Sequence, residues 1–391
     1  MRIDAIRDKV AIVGMGCTKF GEHWDMSVDD MVIEASFEAL QDSGVELKDI
    51  EAAWVGTAVS GGSGMLLSTP LKTRNLPITR VENGCGTGME ALRNATFGVA
   101  CGLYDLVLVV GVEKLKDSGL SGLPEFMTSL YAQGHTAPGR WALGATRYFQ
   151  AYEVPPEDGK RLLAKIAVKN HYNGTLSPKA HFRKEISLEQ AINAPVVAWP
   201  LGLFDCCPTT DGAAAAVICS TEIAKNFRDD YVLIKGFGVA MSAGLGKEDI
   251  DYHYNELPET EAAANQAYAM AGITNPRQEI DLAAVHDCFT IAELMEYEAI
   301  GFSPKGRAKD DIESGAFTLE GDLPVNTDGG LKSFGHPIGA TGLRMCYEAY
   351  TQIQGKAGPR QVKDPKLAYC MAQFGHPGYL GPFATILGRR D

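Results

Sequence analysis

The sequence predicts an α/β fold built as two similar halves, each a sheet covered by helices. Short apolar runs alternate with segments of helical period along nearly the whole chain. The order of elements read in residues 9–113 recurs, loosely, in residues 231–388. With 391 residues, 45% of them hydrophobic, the chain has enough apolar surface for a large core and more than one domain.

The elements follow in order. Residues 9–16, Lys-Val-Ala-Ile-Val-Gly-Met-Gly, read as a buried strand ending in glycines. A dinucleotide-binding loop would need a further glycine at position 19, which is Lys19, so that reading is set aside. A helix over 28–43 closes at Gly44, and a strand over 52–57 follows. Residues 78–88 form a β-prone run that breaks at a glycine, presents Cys85 and opens a helix. Met89, Leu92, Thr96, Val99 and Leu103 mark one face of that helix. A strand over 106–110 ends the first pass. Residues 114–205 do not fit the repeat: they are polar and broken at Gly-Leu-Pro, Ala-Pro-Gly and Val-Pro-Pro. They read as an inserted loop domain covering the active site or a partner surface. A strand over 212–219 returns to the core. The second pass has strand 231–236, helix 259–271, strand 282–285 running into His286, and helix 290–300. A glycine-rich turn over 326–342 then leads into a helix, and strands 367–372 and 383–387 close the chain. The expected units are 1–113 plus 206–228, the insert 114–205, and 229–391.

Composition narrows the function. A net charge of −13 argues against a nucleic-acid partner, since no broad basic face is available. A local basic patch at Lys179, His181, Arg183 and Lys184 could still meet an anionic small ligand. Residues 1–8 lack the apolar core of a signal peptide, no apolar run approaches a membrane-spanning length, and the Gly-Arg-Arg-Asp end is not a peroxisomal signal. Nine cysteines without a C-x-x-C pair suggest free thiols in a reducing cytoplasm and no structural metal.

Three segments carry chemistry. Cys85, at the start of a helix, is expected to be pushed toward thiolate by the helix dipole, and Gly84, Gly86 and Gly88 to let backbone amides approach a ligand. The geometry is that of a nucleophile elbow. His286-Asp287-Cys288-Phe289 ends one strand, and Gly335-His336-Pro337 lies in the glycine-rich turn. A histidine between glycine and proline has little local reason to be there, and Cys288, two residues from His286, is a candidate acid/base.

The three blocks Glu82–Gly88, His286–Phe289 and Gly335–Gly342 resemble the signature blocks of thiolases, and the His-Asp-Cys-Phe form is similar to the sterol-carrier-protein type. Thr18–Gly21, Lys169–His171 and Phe204–Pro208 with Asp211–Ala213 add to a resemblance that covers nearly the whole chain. It implies a duplicated α-β-α-β-α five-layered fold, a homodimer, acyl-CoA and coenzyme A as substrates with no permanently bound cofactor, and a transferase of lipid metabolism. By that resemblance Cys85 is the nucleophile, His336 its base, Cys288 the second acid/base, and His286 with His336 a site for the enolate oxygen. A glycine amide of the C-terminal loop would join that of Cys85 in a second oxyanion site, with Gly375, His376 and Gly378 as candidates. Lys179, Arg183 and Lys332 are candidates for substrate binding. A small OB-fold partner with a zinc ribbon is a further expectation; no membrane partner is. A ketoacyl synthase is set aside because no Glu-Ala-His-Gly-Thr block occurs. The alternatives are a thiolase-like aldolase, whose relatives lack the cysteine, and a non-catalytic scaffold of the same fold.

Overall fold

The computed structural model describes residues 6–117, 136–244 and 252–390. The Gly-Leu-Pro break at 122–124 lies outside them. The first half runs β1 (Val10–Cys17), α1 (Val28–Ser43), β2 (Ala52–Gly56), α2 (Met65–Leu71), β3 (Ile78–Val81), α3 (Thr87–Ala100) and β4 (Leu106–Glu113). Then come α4 (Ala137–Ala151), α5 (Pro156–Leu176), α6 (Leu188–Ile192), β5 (Val196–Ala198), β6 (Leu201–Gly202), β7 (Gly212–Ser220) and α7 (Thr221–Ala224). The second half has β8 (Val232–Val239), α8 (Pro258–Ala271), α9 (Pro276–Glu279), β9 (Leu282–Ala284), α10 (Thr290–Ala299) and α11 (Ala308–Ser314). It ends with α12 (Gly330–Ser333), α13 (Thr341–Ile353), β10 (Leu367–His376) and β11 (Tyr379–Gly388).

Burial on both faces explains why the central strands read as continuous apolar runs. In β7, Ala214, Ala216 and Ile218 enter the main core, while Ala213, Ala215, Val217 and Cys219 face a second core under α1. The strand order is β3-β2-β4-β7-β1-β8-β11-β10-β9. The two half-sheets are therefore continuous, joined by the pairs Ala11–Leu233 and Ile12–Val232. Helix α1 covers β1 and β7, α8 covers β8 and β11, and α3 with α13 lies between, touching strands of both halves. This is the α-β-α-β-α layering of the fold class.

The duplication is visible in backbone contacts. A Cβ on Gly14, Gly16, Gly236 or Gly238 would fall 1.7–2.6 Å from a carbonyl oxygen of Ala39, Ala35, Ala267 or Ala263 respectively. The glycines that end the first strand, and their counterparts in β8, thus let a helix lie directly on a strand. A bridge of Val325 to Ala283 stands where β3 pairs β2 in the first half, so the His336 turn and α13 correspond to the Cys85 turn and α3.

Within the stretch read as a loop insert, helices account for most of the described residues. The Ala-Pro-Gly and Val-Pro-Pro breaks are helix starts: Pro138 and Pro156 occupy the first turns of α4 and α5, where no amide partner is missed. The closing strands are longer than read and form one hairpin turned at Pro377-Gly378.

The His336 turn is anchored by a fully buried ion pair, Arg344 Nη1 to Asp328 Oδ2 at 2.7 Å, with the guanidinium also 5.0 Å from the Phe334 ring centre. Asp328→Ala leaves that guanidinium without a counter-charge and is expected to cost about 3–5 kcal/mol in urea unfolding. Asp328→Leu combined with Arg344→Met should cost much less; equal losses would mean that the charges are not what matters.

Candidate active site

Cys85, His286, Cys288, Gly375 and His376 line one cavity of about 290 Å³, and His336 stands behind Cys85. A larger cleft, about 470 Å³, lies between α5 and residues 312–320 and holds no cysteine or histidine. Cys85 precedes α3, whose first turn hydrogen-bonds back to Asn83 and Gly84. The left-handed conformation of the elbow falls on Gly84 (φ 50°), which carries the turn in place of the cysteine. The flanking glycines are also required by packing. A Cβ at Gly84 would meet Phe374, one at Gly86 the Phe383 ring, and one at Gly88 the Gly339 carbonyl.

His336 Nε2 lies 3.2 Å from Cys85 Sγ. Its Nδ1 is 2.7 Å from the Thr341 hydroxyl, which itself donates to Pro337 O at 2.9 Å. The hydroxyl proton being spent there, Nδ1 must be the protonated nitrogen, and Nε2 turns its lone pair to the thiol. The His286 ring stands edge-on to that of His336, centres 5.1 Å apart. Its backbone amide is fixed by Glu296 Oε2 at 2.8 Å, and Glu296 is held in turn by Gln373 at 2.6 Å. Buried Nδ1 of His286 has no hydrogen-bond partner. The ligand atoms of Cys85, His286 and His336 lie within 4.8 Å of one another, a soft S/N/N set that could hold a thiophilic divalent cation.

Burial sets the protonation states. It pushes the Cys85 thiol up to about 12, helped by the carboxylates of Glu113 and Glu82. The helix-start argument for a depressed thiol is thus outweighed in the free site. Burial, with Arg344 nearby, lowers His336 to about 3. His286 is held well below its usual range by burial and by His336, and Cys288 well above its own by burial and by the thiols of Cys207 and Cys85. The resting site therefore holds neutral imidazoles and neutral thiols.

The other singled-out residues lie elsewhere. Gly378 sits in the hairpin turn, where its carbonyl accepts from Ser242 at 3.1 Å. Lys179 is engaged by Glu38 and the Cys17 carbonyl, Arg183 reaches only Thr175 O at 3.4 Å, and buried Lys332 donates to Cys206 O. None of these four lines the Cys85 cavity. Several familial stretches are scaffold: Asn170 donates to Asp287 and Glu293, Lys169 pairs Glu293, and Asp211 accepts from the amides of Leu115 and Lys116.

Sequence reasoning missed three supports. Buried Glu113 accepts from the amides of Ala58, Val59, Ser60 and Gly339, and from two hydroxyls, so one carboxylate ties β4 to the His336 turn. Asp287 accepts from the amides of Leu331 and Lys332; burial and Glu293 push it up to about 7. Thr341 lay within the third motif, and Asp287 beside His286, yet neither had been given a role. Only the lone acid ending an apolar strand hinted at Glu113.

The site pairs a cysteine with a histidine in a duplicated α/β frame. Comparison with known proteins gives the family. Residues 10–222 match the model "Thiolase, N-terminal domain" and residues 251–380 match "Thiolase C-terminal domain-like". The chain belongs to the thiolase family. It is 37% identical over 371 residues to an acetyl-CoA acetyltransferase of Methanothermobacter thermautotrophicus, covering 92% of this chain and 94% of that one. It is 34% identical to the benzoylsuccinyl-CoA thiolase subunit BbsB of Thauera aromatica, with 92% and 93% covered. Among solved structures, "Ltp2-ChsH2(DUF35) aldolase" superposes with TM-score 0.86 at 27% identity, covering 98% of this chain and 99% of that one. Human mitochondrial 3-ketoacyl-CoA thiolase, at 18% identity and TM-score 0.69 over 99% of this chain and all of that one, shares the fold.

With burial holding the free thiol up, alkylation of Cys85 by iodoacetamide should rise about tenfold per pH unit from pH 7 to 10 without levelling. Mass mapping of the modified cysteine checks this. A plateau near neutral pH would show a resting thiolate instead.

Proposed function

We propose that the protein transfers acyl groups between a 3-oxoacyl-CoA and coenzyme A through an acyl-Cys85 intermediate, either by thiolysis or by the reverse Claisen condensation. The observation that carries this is the Cys85–His336 contact, with the lone pair of Nε2 facing the thiol. The thiol proton passes to His336 as sulfur attacks the 3-oxo carbonyl, and the S–C bond forms. The amide of Cys85 and the Gly375–His376 strand end supply the oxyanion donors. The Cα–Cβ bond then breaks, and its electron pair stays on the CoA thioester as an enolate facing the N–H of a neutral His286. Cys288, a thiol that burial keeps protonated, gives the enolate its proton. The Cys288 thiolate then takes the proton of the coenzyme A thiol, whose sulfur attacks acyl-Cys85; the bond from the acyl carbon to Cys85 breaks, and His336 returns its proton to the released sulfur.

A homodimer is supported by β3, an edge strand half-buried and unpaired on its outer side among the described residues. A protein partner is supported by exposed Val196, Trp199 and Leu203 in the non-repeated segment and by the ChsH2(DUF35) component in the aldolase neighbour's name. That neighbour also favours a second reading, retro-aldol cleavage of an acyl-CoA. A non-catalytic role is the third.

Intact-mass measurement after brief exposure to a panel of 3-oxoacyl-CoAs separates these readings. An acyl adduct on the wild type that is lost in Cys85→Ala supports the transferase. Cleavage without an adduct, undiminished in Cys85→Ala, favours the aldolase, and no reaction at all the scaffold. His336→Asn should slow adduct formation by about 100-fold or more. An unchanged rate would remove His336 as the proton acceptor.

A further inference from the structure

The Cys85 cavity contains one guanidinium among its described lining residues, Arg140, and the acyl-transfer chemistry does not use it. Arg140, on α4, is 8% exposed. One terminal nitrogen donates to His376 Nε2, while buried Nε has no hydrogen-bond partner. The other ring nitrogen of His376 lies 2.9 Å from Pro377 O and must donate to it, so His376 meets the guanidinium as a neutral acceptor. His376 therefore orients the positive charge without cancelling it. Among the described residues no carboxylate comes within 4.0 Å of Arg140. Glu82, the one acid lining the cavity, is turned to the Gly84 amide at 2.7 Å.

A guanidinium withdrawn from water with no counter-ion is costly unless a ligand supplies one. Its planar donor fork matches a carboxylate, which it can hold through two parallel hydrogen bonds. Around it the walls are apolar. Trp141 and Phe289 face one another with ring centres 6.2 Å apart, and Ile338 and Phe374 complete the lining. A fixed cation in an apolar, aromatic pocket selects an acid with a hydrophobic body over a plain alkyl chain.

We propose that Arg140 sets substrate choice, and that the substrate is a 3-oxoacyl-CoA whose acyl part carries a free carboxylate beside an apolar or aromatic group. This deepens the thiolase reading and rests on it. The negative phosphates of coenzyme A are the other anions Arg140 could meet, and the test distinguishes them.

Two thioesters of one carbon skeleton are compared, one with the free carboxylate and one with its methyl ester. The wild type should favour the acid by about 30- to 100-fold in kcat/KM, the range of a charge-assisted hydrogen bond. Arg140→Gln should bring the ratio close to one by losing rate on the acid alone, and Arg140→Lys should recover part of it. A wild type that takes the ester as well as the acid overturns the proposal. So does an Arg140→Gln variant that weakens both substrates equally, as a phosphate contact or a merely structural arginine would. If Arg140→Gln fails to fold, the wild-type ratio still decides. Binding of the same pair to Cys85→Ala is measured alongside. If no thioester acylates Cys85, the transferase reading fails, while the binding ratio still rules on Arg140.

Discussion

Everything at the site depends on two helix starts being allowed to touch backbone to backbone. A Cβ on Gly88 would lie 2.8 Å from Gly339 O, one on Gly111 2.3 Å from the same oxygen, and one on Gly342 2.5 Å from the Met89 amide. Gly339 in turn leaves no room for a side chain against Val112 O and Gly56 O. These four glycines bring α3 and α13 together between the half-sheets, and with them Cys85 and His336, 251 residues apart in the chain. Any side chain there would push the helices apart, and the thiol and the imidazole would lose their hydrogen bond first, since it tolerates only a few tenths of an ångström.

Buried carboxylates then hold the turns that the glycines bring together. Glu113 clasps the 58–60 turn and Gly339 from one side, and Asp287 holds the start of α12 from the other. Each accepts several backbone amides, so its charge is solvated by the protein itself. The outcome is a rigid polar rim around a site whose reacting groups are neutral. Arg140 is the exception: His376 aims it, and among the described residues no acid pairs with it.

Much of the frame was legible from local pattern. Helix 28–43 and its Gly44 stop could be read because a capping box at Ser27 and Asp30 and a left-handed glycine are encoded within a few residues of the ends. The motif residues Cys85, His286 and Cys288 line one cavity, and His336 contacts Cys85 from beside it. Local reading was weaker where long-range contact decides. The prolines at 138 and 156 looked like breaks because a helix start and a loop use proline alike. The segment between the strands read at 367–372 and 383–387 was taken as a C-terminal loop, whereas pairing across it extends both strands into one hairpin. The thiol's acidity was misjudged because the helix start is visible in sequence while the burial that opposes it is not.

By itself the sequence determined the alternation of strands and helices, the duplicated order and the cysteine and histidine motifs of the site, because these rest on residue type and short spacing. Only the tertiary structure decided the tautomer of His336, the anchoring by Glu113 and the placement of Arg140 in the cavity that Cys85 lines. Those depend on which atoms meet across hundreds of residues, and on how much water is excluded where they meet.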